Sequence, residues 1–162
     1  MSDFGLLGRD KMENDEIARM VAEYNNLWKE QNEIYSAAAK SYGLSDSAMW
    51  ILYFLRLNGG SCMQRDINSQ MAQPKQTINS AIKQLERSGY VSLSSGEDRR
   101  CRMVELTPSG EELAVRTSDH VISAERNVWE DFTGADREQF ICLIKKYNQR
   151  LKLRMSEENG KK

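Results

Sequence analysis

Only three cysteines and a single histidine occur in this sequence, and their positions exclude several kinds of chemistry. Cys62, Cys101 and Cys142 are odd in number, far apart and without a C-x-x-C pair. That argues against a disulfide framework and a zinc site, and it fits a reducing compartment. His120 has no H-E-x-x-H pattern and no acid or nucleophile pattern around it. With no Gly-rich phosphate loop and no G-x-S-x-G, neither catalytic residues nor metal ligands nor a cofactor are expected, and the chain does not read as an enzyme. Long apolar runs are missing too: the longest, Ala48 to Leu55, is far short of a membrane span. The start, Met1-Ser2-Asp3-Phe4-Gly5, lacks the basic and apolar regions of a signal peptide, so a soluble, cytoplasmic protein without membrane contact is expected. An excess of one charge is absent as well, since 23 Lys and Arg stand against 24 Asp and Glu.

That balance conceals an uneven distribution. Residues 1–55 carry 5 cations against 9 anions, residues 56–107 carry 8 against 5, and residues 108–162 carry 10 against 10. The middle third is the basic one, where a polyanion would be met. With 40% of its 162 residues apolar, the chain suits one compact domain or a small domain with helical extensions.

The hydrophobic period supplies the elements. From Asn14 to about Tyr42, Ile17, Met20, Val21, Tyr24, Leu27, Trp28, Ile34, Tyr35 and Ala38 recur at three and four, one stripe on a long helix that needs a partner. Gly43 ends it, and Ser45 opens a second helix that is apolar on nearly all sides up to Gly59-Gly60. Ser61, with Gln64 three residues on, reads as a capping box for a short third helix bearing Ile67 and Met71. After a break at Ala72-Gln73, Pro74 suits the first turn of a fourth helix that runs to Ser88, with Gly89 as its stop. Helix, break and helix make a helix-turn-helix. Tyr90–Ser94 and Arg102–Leu106 then alternate with period two around turn residues, predicting a two-stranded wing. Thr107 caps a helix with Pro108 first in it, and the apolar pattern continues through Leu113, Val115, Val121, Ile122 and Val128 toward Asp131. Thr133 and Asp136 open a last helix striped by Phe140, Leu143, Ile144, Tyr147 and Leu151.

Two of these elements carry function. The helix from Pro74 to Ser88 divides into an apolar side, Ile78, Ala81, Ile82 and Leu85, and a polar side, Lys75, Gln76, Asn79, Ser80 and Lys83. One anchored face and one hydrogen-bonding face is what a recognition helix requires in a major groove. The wing tip, Asp98-Arg99-Arg100-Cys101-Arg102, places three cations on a protruding ribbon. A guanidinium there can enter an A·T-rich minor groove while Asp98 fixes a neighbouring arginine.

These segments resemble the MarR family of bacterial transcriptional regulators from about Ile17 to Met155. The likeness is carried by Leu85-Glu86-Arg87-Ser88-Gly89-Tyr90-Val91, then Asp98-Arg99-Arg100, then Leu106-Thr107-Pro108-Ser109-Gly110. It implies a mainly α (α+β) fold: a winged helix-turn-helix with long N- and C-terminal dimerisation helices. By that pattern residues 1–44 form the N-terminal dimerisation helix, 45–107 the DNA-binding domain and 108–162 the C-terminal dimerisation helices. The implied activity is sequence-specific binding of a pseudo-palindromic double-stranded DNA operator by a homodimer, acting as a repressor released by a small-molecule effector. Arg100 would be the minor-groove arginine with Asp98 as its positioning partner and Arg99 and Arg102 beside it. Lys75, Gln76, Thr77, Asn79, Ser80 and Lys83 would make the major-groove and phosphate contacts. A winged-helix module that assembles with an acidic protein surface is the alternative.

Many members of that family release DNA when a small aromatic or phenolic compound binds between the two parts. Here Tyr24, Trp28, Trp50, Tyr53 and Phe54 are the aromatic residues placed to line such a pocket. Peroxide-sensing members use a cysteine in the first helix, where this chain has none. Cys101, flanked by arginines that favour its thiolate, is the redox candidate, whereas Cys62 and Cys142 read as small core residues.

Overall fold

The computed structural model describes residues 4–95 and 102–159. The chain divides into two compact units, residues 1–119 and 120–162. The first unit begins with α1 (Phe4–Ser41), about ten residues longer at its start than the apolar period predicts, and continues with α2 (Asp46–Leu57). Ser45 caps α2 by accepting from the Ala48 N–H at 3.2 Å. As expected of a helix apolar all round, α2 is the central element, with Met49, Ile51, Leu52 and Leu55 fully buried.

A short strand, β1 (Ser61–Met63), follows where a capping box was expected. Ser61 does not cap α3 (Gln64–Gln70): the N-cap residue is Met63, which makes no side-chain bond. The segment is recruited instead by β3 (Arg102–Leu106), with Ser61 opposite Glu105 and Met63 opposite Met103. Ladder bonds satisfy the backbone groups that a capped turn would have satisfied locally. The wing is therefore part of a three-stranded antiparallel sheet, ordered β1-β3-β2, with β2 (Val91–Ser95) paired to β3 from Val91↔Leu106 to Ser95↔Arg102.

Between α3 and β2 lies α4 (Lys75–Arg87). Its apolar side, Ile78, Ala81, Ile82 and Leu85, is buried, and it packs on α2. These side chains join Ile51, Leu52, Leu55, Ile67, Val91, Val104 and Leu113 in one core, so helix-turn-helix and wing form a single lobe.

The helix expected from Pro108 to Asp131 is broken. α5 (Pro108–Arg116) stops at Thr117, and α6 (Ser118–Asp131) starts afresh. The Thr117 hydroxyl donates to the Leu113 carbonyl at 2.8 Å, while the Thr117 N–H turns to Ala114. The side chain has taken the acceptor that a continuous helix would give to the backbone.

Across this corner Arg56 of α2 holds both halves. Its guanidinium makes a two-bond fork with Asp119, at 2.8 and 2.7 Å, and a third bond to Glu111. The Asp119 hydrogen bond, with the charges of Asp119 and Glu111, holds the arginine above its ordinary pKa. Arg56 and Asp119 are only 28% and 30% exposed, so solvent screens the pair incompletely. Arg56→Ala is expected to cost about 1–2 kcal/mol in urea denaturation. A double-mutant cycle with Asp119→Ala should give a coupling above roughly 0.5 kcal/mol, and a coupling near zero would reduce the fork to surface decoration.

In the second unit, the rest of α6 leads to α7 (Gly134–Asn159) through the expected cap. Thr133 and Asp136 bond reciprocally, with the Asp136 N–H at 3.2 Å from the Thr133 hydroxyl and the Thr133 N–H at 3.3 Å from the Asp136 carboxylate. Arg137 donates to the free-ended Trp129 and Glu130 carbonyls of α6. Trp129, Phe132 and Phe140 meet edge to face with centroids 5.5 to 6.4 Å apart, which clamps the corner.

Candidate nucleic-acid interface

The lobe presents α4 with its polar side outward. Lys75, Gln76, Thr77, Ser80 and Lys83 are exposed, and Asn79 is half-buried. Residues 76, 80, 83 and 87 follow one line along the helix at spacings of four, three and four, so Arg87 extends the polar stripe by a turn. Arg87 was not among the residues singled out from sequence. The polar period itself carries the signal, but the segment around Arg87 reads first as a helix ending. Ser80, Lys83, Glu86 and Arg87 border a shallow groove on this face.

The first turn of α4 is built to attract negative charge. Pro74, its N-cap residue, offers no side-chain acceptor, and no acid occupies the first turn. The Thr77 and Ile78 N–H groups bond to the Pro74 carbonyl. The Lys75 and Gln76 N–H groups lie at the positive end of the helix dipole beside the Lys75 ammonium.

Two contacts, neither legible in the spacing, set where that turn sits. Gln64 of α3 donates its amide to the Asn79 Oδ1 at 2.6 Å, which locks α3 against α4 and leaves the Asn79 amide nitrogen as a donor. The Ser47 hydroxyl of α2 donates to the Gln73 Oε1 at 2.5 Å and anchors the residue just before Pro74. Both are positioning contacts between elements that only the fold brings together.

On the wing, Arg102 is exposed at the start of β3, opposite Ser95. Asp98, Arg99, Arg100 and Cys101 lie outside the described residues. Of the other cysteines, Cys62 is partly buried against the core, and burial followed by the nearby Asp66 charge pushes its thiol pKa up, away from reactivity. Cys142 is exposed, not a core residue as expected. It falls on the face of α7 that also carries Glu138, Lys145, Lys146 and Gln149, off the Phe140–Ile144–Tyr147–Leu151 stripe.

The aromatic residues proposed as a pocket divide. Trp28, Trp50 and Phe54 line one cleft of about 440 Å³ beside the α3–α4 turn. Tyr53 packs edge-on against Trp50 at 5.1 Å and against Phe54 at 5.8 Å, and Tyr24 lies exposed one turn before Trp28 on α1.

A profile of the MarR family matches residues 42–100, which run from the end of α1 through the helix-turn-helix into the wing. The HTH-type transcriptional regulator YwoH of Bacillus subtilis is 30% identical over 135 residues, covering 83% of this chain and 90% of its own. The chain belongs to the MarR family. It is thus a MarR-family transcriptional regulator, and its winged lobe is the family's fold. Among solved MarR structures, NMB1585 of Neisseria meningitidis superposes with a TM-score of 0.73 at 21% identity, covering 86% of this chain and 98% of that one. S. aureus MepR in a DNA complex superposes at 0.63 and 17% identity, covering 79% and 94%. In this MarR-family chain, no described helix is long and apolar enough to cross a membrane.

Proposed function

We propose that this regulator binds a pseudo-palindromic double-stranded DNA operator as a homodimer and represses by occupying a promoter. The observation that carries the reading is the outward polar side of α4, held by Gln64 and Ser47, on the same lobe as the strand bearing Arg102. In this reading Lys75, Gln76, Thr77, Asn79, Ser80 and Lys83 meet base edges and phosphates in a major groove, and Arg87 extends the phosphate contacts. Arg100, positioned by Asp98, enters the adjoining minor groove, with Arg99 and Arg102 near the backbone. That a MepR structure of the same fold is a DNA complex supports the assignment.

Dimerisation is supported by apolar stripes that the single chain does not cover. Ile17, Met20, Val21, Leu27 and Ile34 of α1 are each more than half exposed, and Leu143, Tyr147, Leu151 and Met155 of α7 are exposed too. Patches of this kind mark association surfaces. Accordingly, residues 1–44 and 108–162 serve as dimerisation segments around a DNA-binding domain at 45–107. An aromatic effector that prefers one spacing of the two lobes would release the DNA.

The test is binding of the purified protein to the DNA upstream of its own coding sequence across a salt series. Tight, salt-sensitive binding is expected, with Arg100→Ala weaker by about ten- to a hundredfold and Lys83→Ala reducing the salt slope by about one. Binding no tighter than to random duplex, unchanged by either substitution, would replace the DNA reading with the protein-assembly alternative.

A further inference from the structure

The amide of Asn79 stands where α4 turns from its buried side to its exposed one. Ile78 and Ile82, on either side of it along the helix, are buried, so its backbone is fixed, while Gln76, Ser80 and Lys83 around it are exposed. Asn79 itself is half-buried, and its Oδ1 accepts a hydrogen bond from the Gln64 Nε2 at 2.6 Å. Gln64 is as firmly placed. It is the first residue of α3 and directly follows β1, whose Met63 pairs with Met103 of β3.

This contact limits what Asn79 can offer a groove. A free carboxamide reads adenine with two bonds, its oxygen accepting from the N6 amino group and its nitrogen donating to N7. In Asn79 the oxygen is already engaged, so an adenine would have to share it with Gln64 or displace Gln64 from it. Displacement strips the partner from a half-buried amide, which is unfavourable. The Nδ2 group, by contrast, keeps N–H donors to give. Guanine presents two acceptors, N7 and O6, side by side on its major-groove edge, whereas thymine presents one acceptor beside a methyl group and cytosine a donor.

We infer that Asn79 reads guanine rather than adenine in the major groove, and that Gln64, on the neighbouring helix, is the positioning residue that sets this preference. The inference rests on the DNA-binding reading above. It makes one base of each half-site depend on the hydrogen-bonding polarity of residue 64, which acts through Asn79. Gln64→Glu removes the donor and supplies a carboxylate that only accepts, so the Asn79 nitrogen turns to meet it and the Asn79 oxygen faces outward. An outward acceptor suits the amino groups of adenine and cytosine.

Selection of binding sites from a random duplex pool by the full chain, followed by sequencing, tests this without a known operator. Asn79→Ala is expected to lose preference at one base of each half-site, and the unaltered chain is expected to favour guanine there over adenine by about five- to a hundredfold. Gln64→Glu, which keeps the size of the side chain, is expected to change the preferred base at that same position to adenine or cytosine and to leave the other positions alone. Gln64→Leu removes the contact without replacing it and is expected to relax the preference there. If Gln64 were merely structural, both of its variants would bind every site more weakly and keep the same preferred bases, and that result overturns the inference. Adenine at the Asn79 position of the unaltered chain, or no position lost in Asn79→Ala, overturns it too and leaves the DNA-binding reading standing. Failure of the unaltered chain to enrich any sequence sinks that reading itself, and the inference with it.

Discussion

Gly110→Ala is expected to lower the unfolding free energy by about 3 kcal/mol or more, a large part of the total for a domain of this size. A Cβ built on Gly110 falls 1.8 Å from the carbonyl oxygen of Tyr90. That obstacle is backbone, so no rotamer change relieves it, and three bonds prevent α5 from backing away. The Thr107 N–H donates to the same Tyr90 carbonyl at 3.1 Å, the Thr107 hydroxyl donates to the Gly89 carbonyl, and the Gly110 N–H donates to the Thr107 hydroxyl at 3.0 Å. Gly89 itself sits at φ +75°, a conformation that favours glycine at the end of α4. The end of α4 and the start of α5 are thus one junction, and Gly110 is the residue that lets them touch. Urea denaturation followed by circular dichroism checks this, with Ser109→Ala, at an exposed neighbour, expected to stay within about 0.5 kcal/mol of the parent. A loss below about 1 kcal/mol for Gly110→Ala would mean that α5 can shift without cost.

The second large effect concerns assembly. The Ile144→Asp/Leu151→Asp double variant is expected to convert the protein from dimer to monomer in light scattering, and to weaken operator binding by at least about a hundredfold. Both residues lie on the exposed apolar stripe of α7. Burying two unpaired carboxylates in a subunit interface is strongly unfavourable. In the proposed mode of binding a monomer would also lose the second half-site, whose capture within the dimer would contribute about 10²–10⁴ in avidity. Because both side chains are exposed in the single chain, its helical circular dichroism spectrum should be largely retained. A variant that remains dimeric would place the interface elsewhere and refute the role assigned to α7.

How much could be read in advance depended on the range of the interaction. The division of α4 into Ile78, Ala81, Ile82 and Leu85 against Lys75, Gln76, Ser80 and Lys83 was legible because helical period and burial arise from neighbours within a few turns. The Thr133–Asp136 cap and the Thr107-Pro108 start were legible for the same reason: donor and acceptor lie three residues apart. Ser61–Met63 was not, since three residues show no period and the partner strand lies about forty residues downstream. The break at Thr117 turned on one hydroxyl choosing the Leu113 carbonyl, which an apolar pattern cannot reveal.

The same boundary divides the functional residues. The order of elements, the polar side of α4, the run of cations between the two wing strands and the family could all be read along the chain, because each depends on local spacing or on motifs in a fixed order. Long-range packing alone sets Ser47 and Gln64 against the residues at the start of α4 and ties Arg56 of α2 to Glu111 and Asp119. It also brings Trp28, Trp50 and Phe54 to one cleft. The hydrogen bonds of Ser47, Gln64 and Arg56 join residues 15 to 63 positions apart, and each exists only once burial of the common core has absorbed the entropy of bringing the segments together.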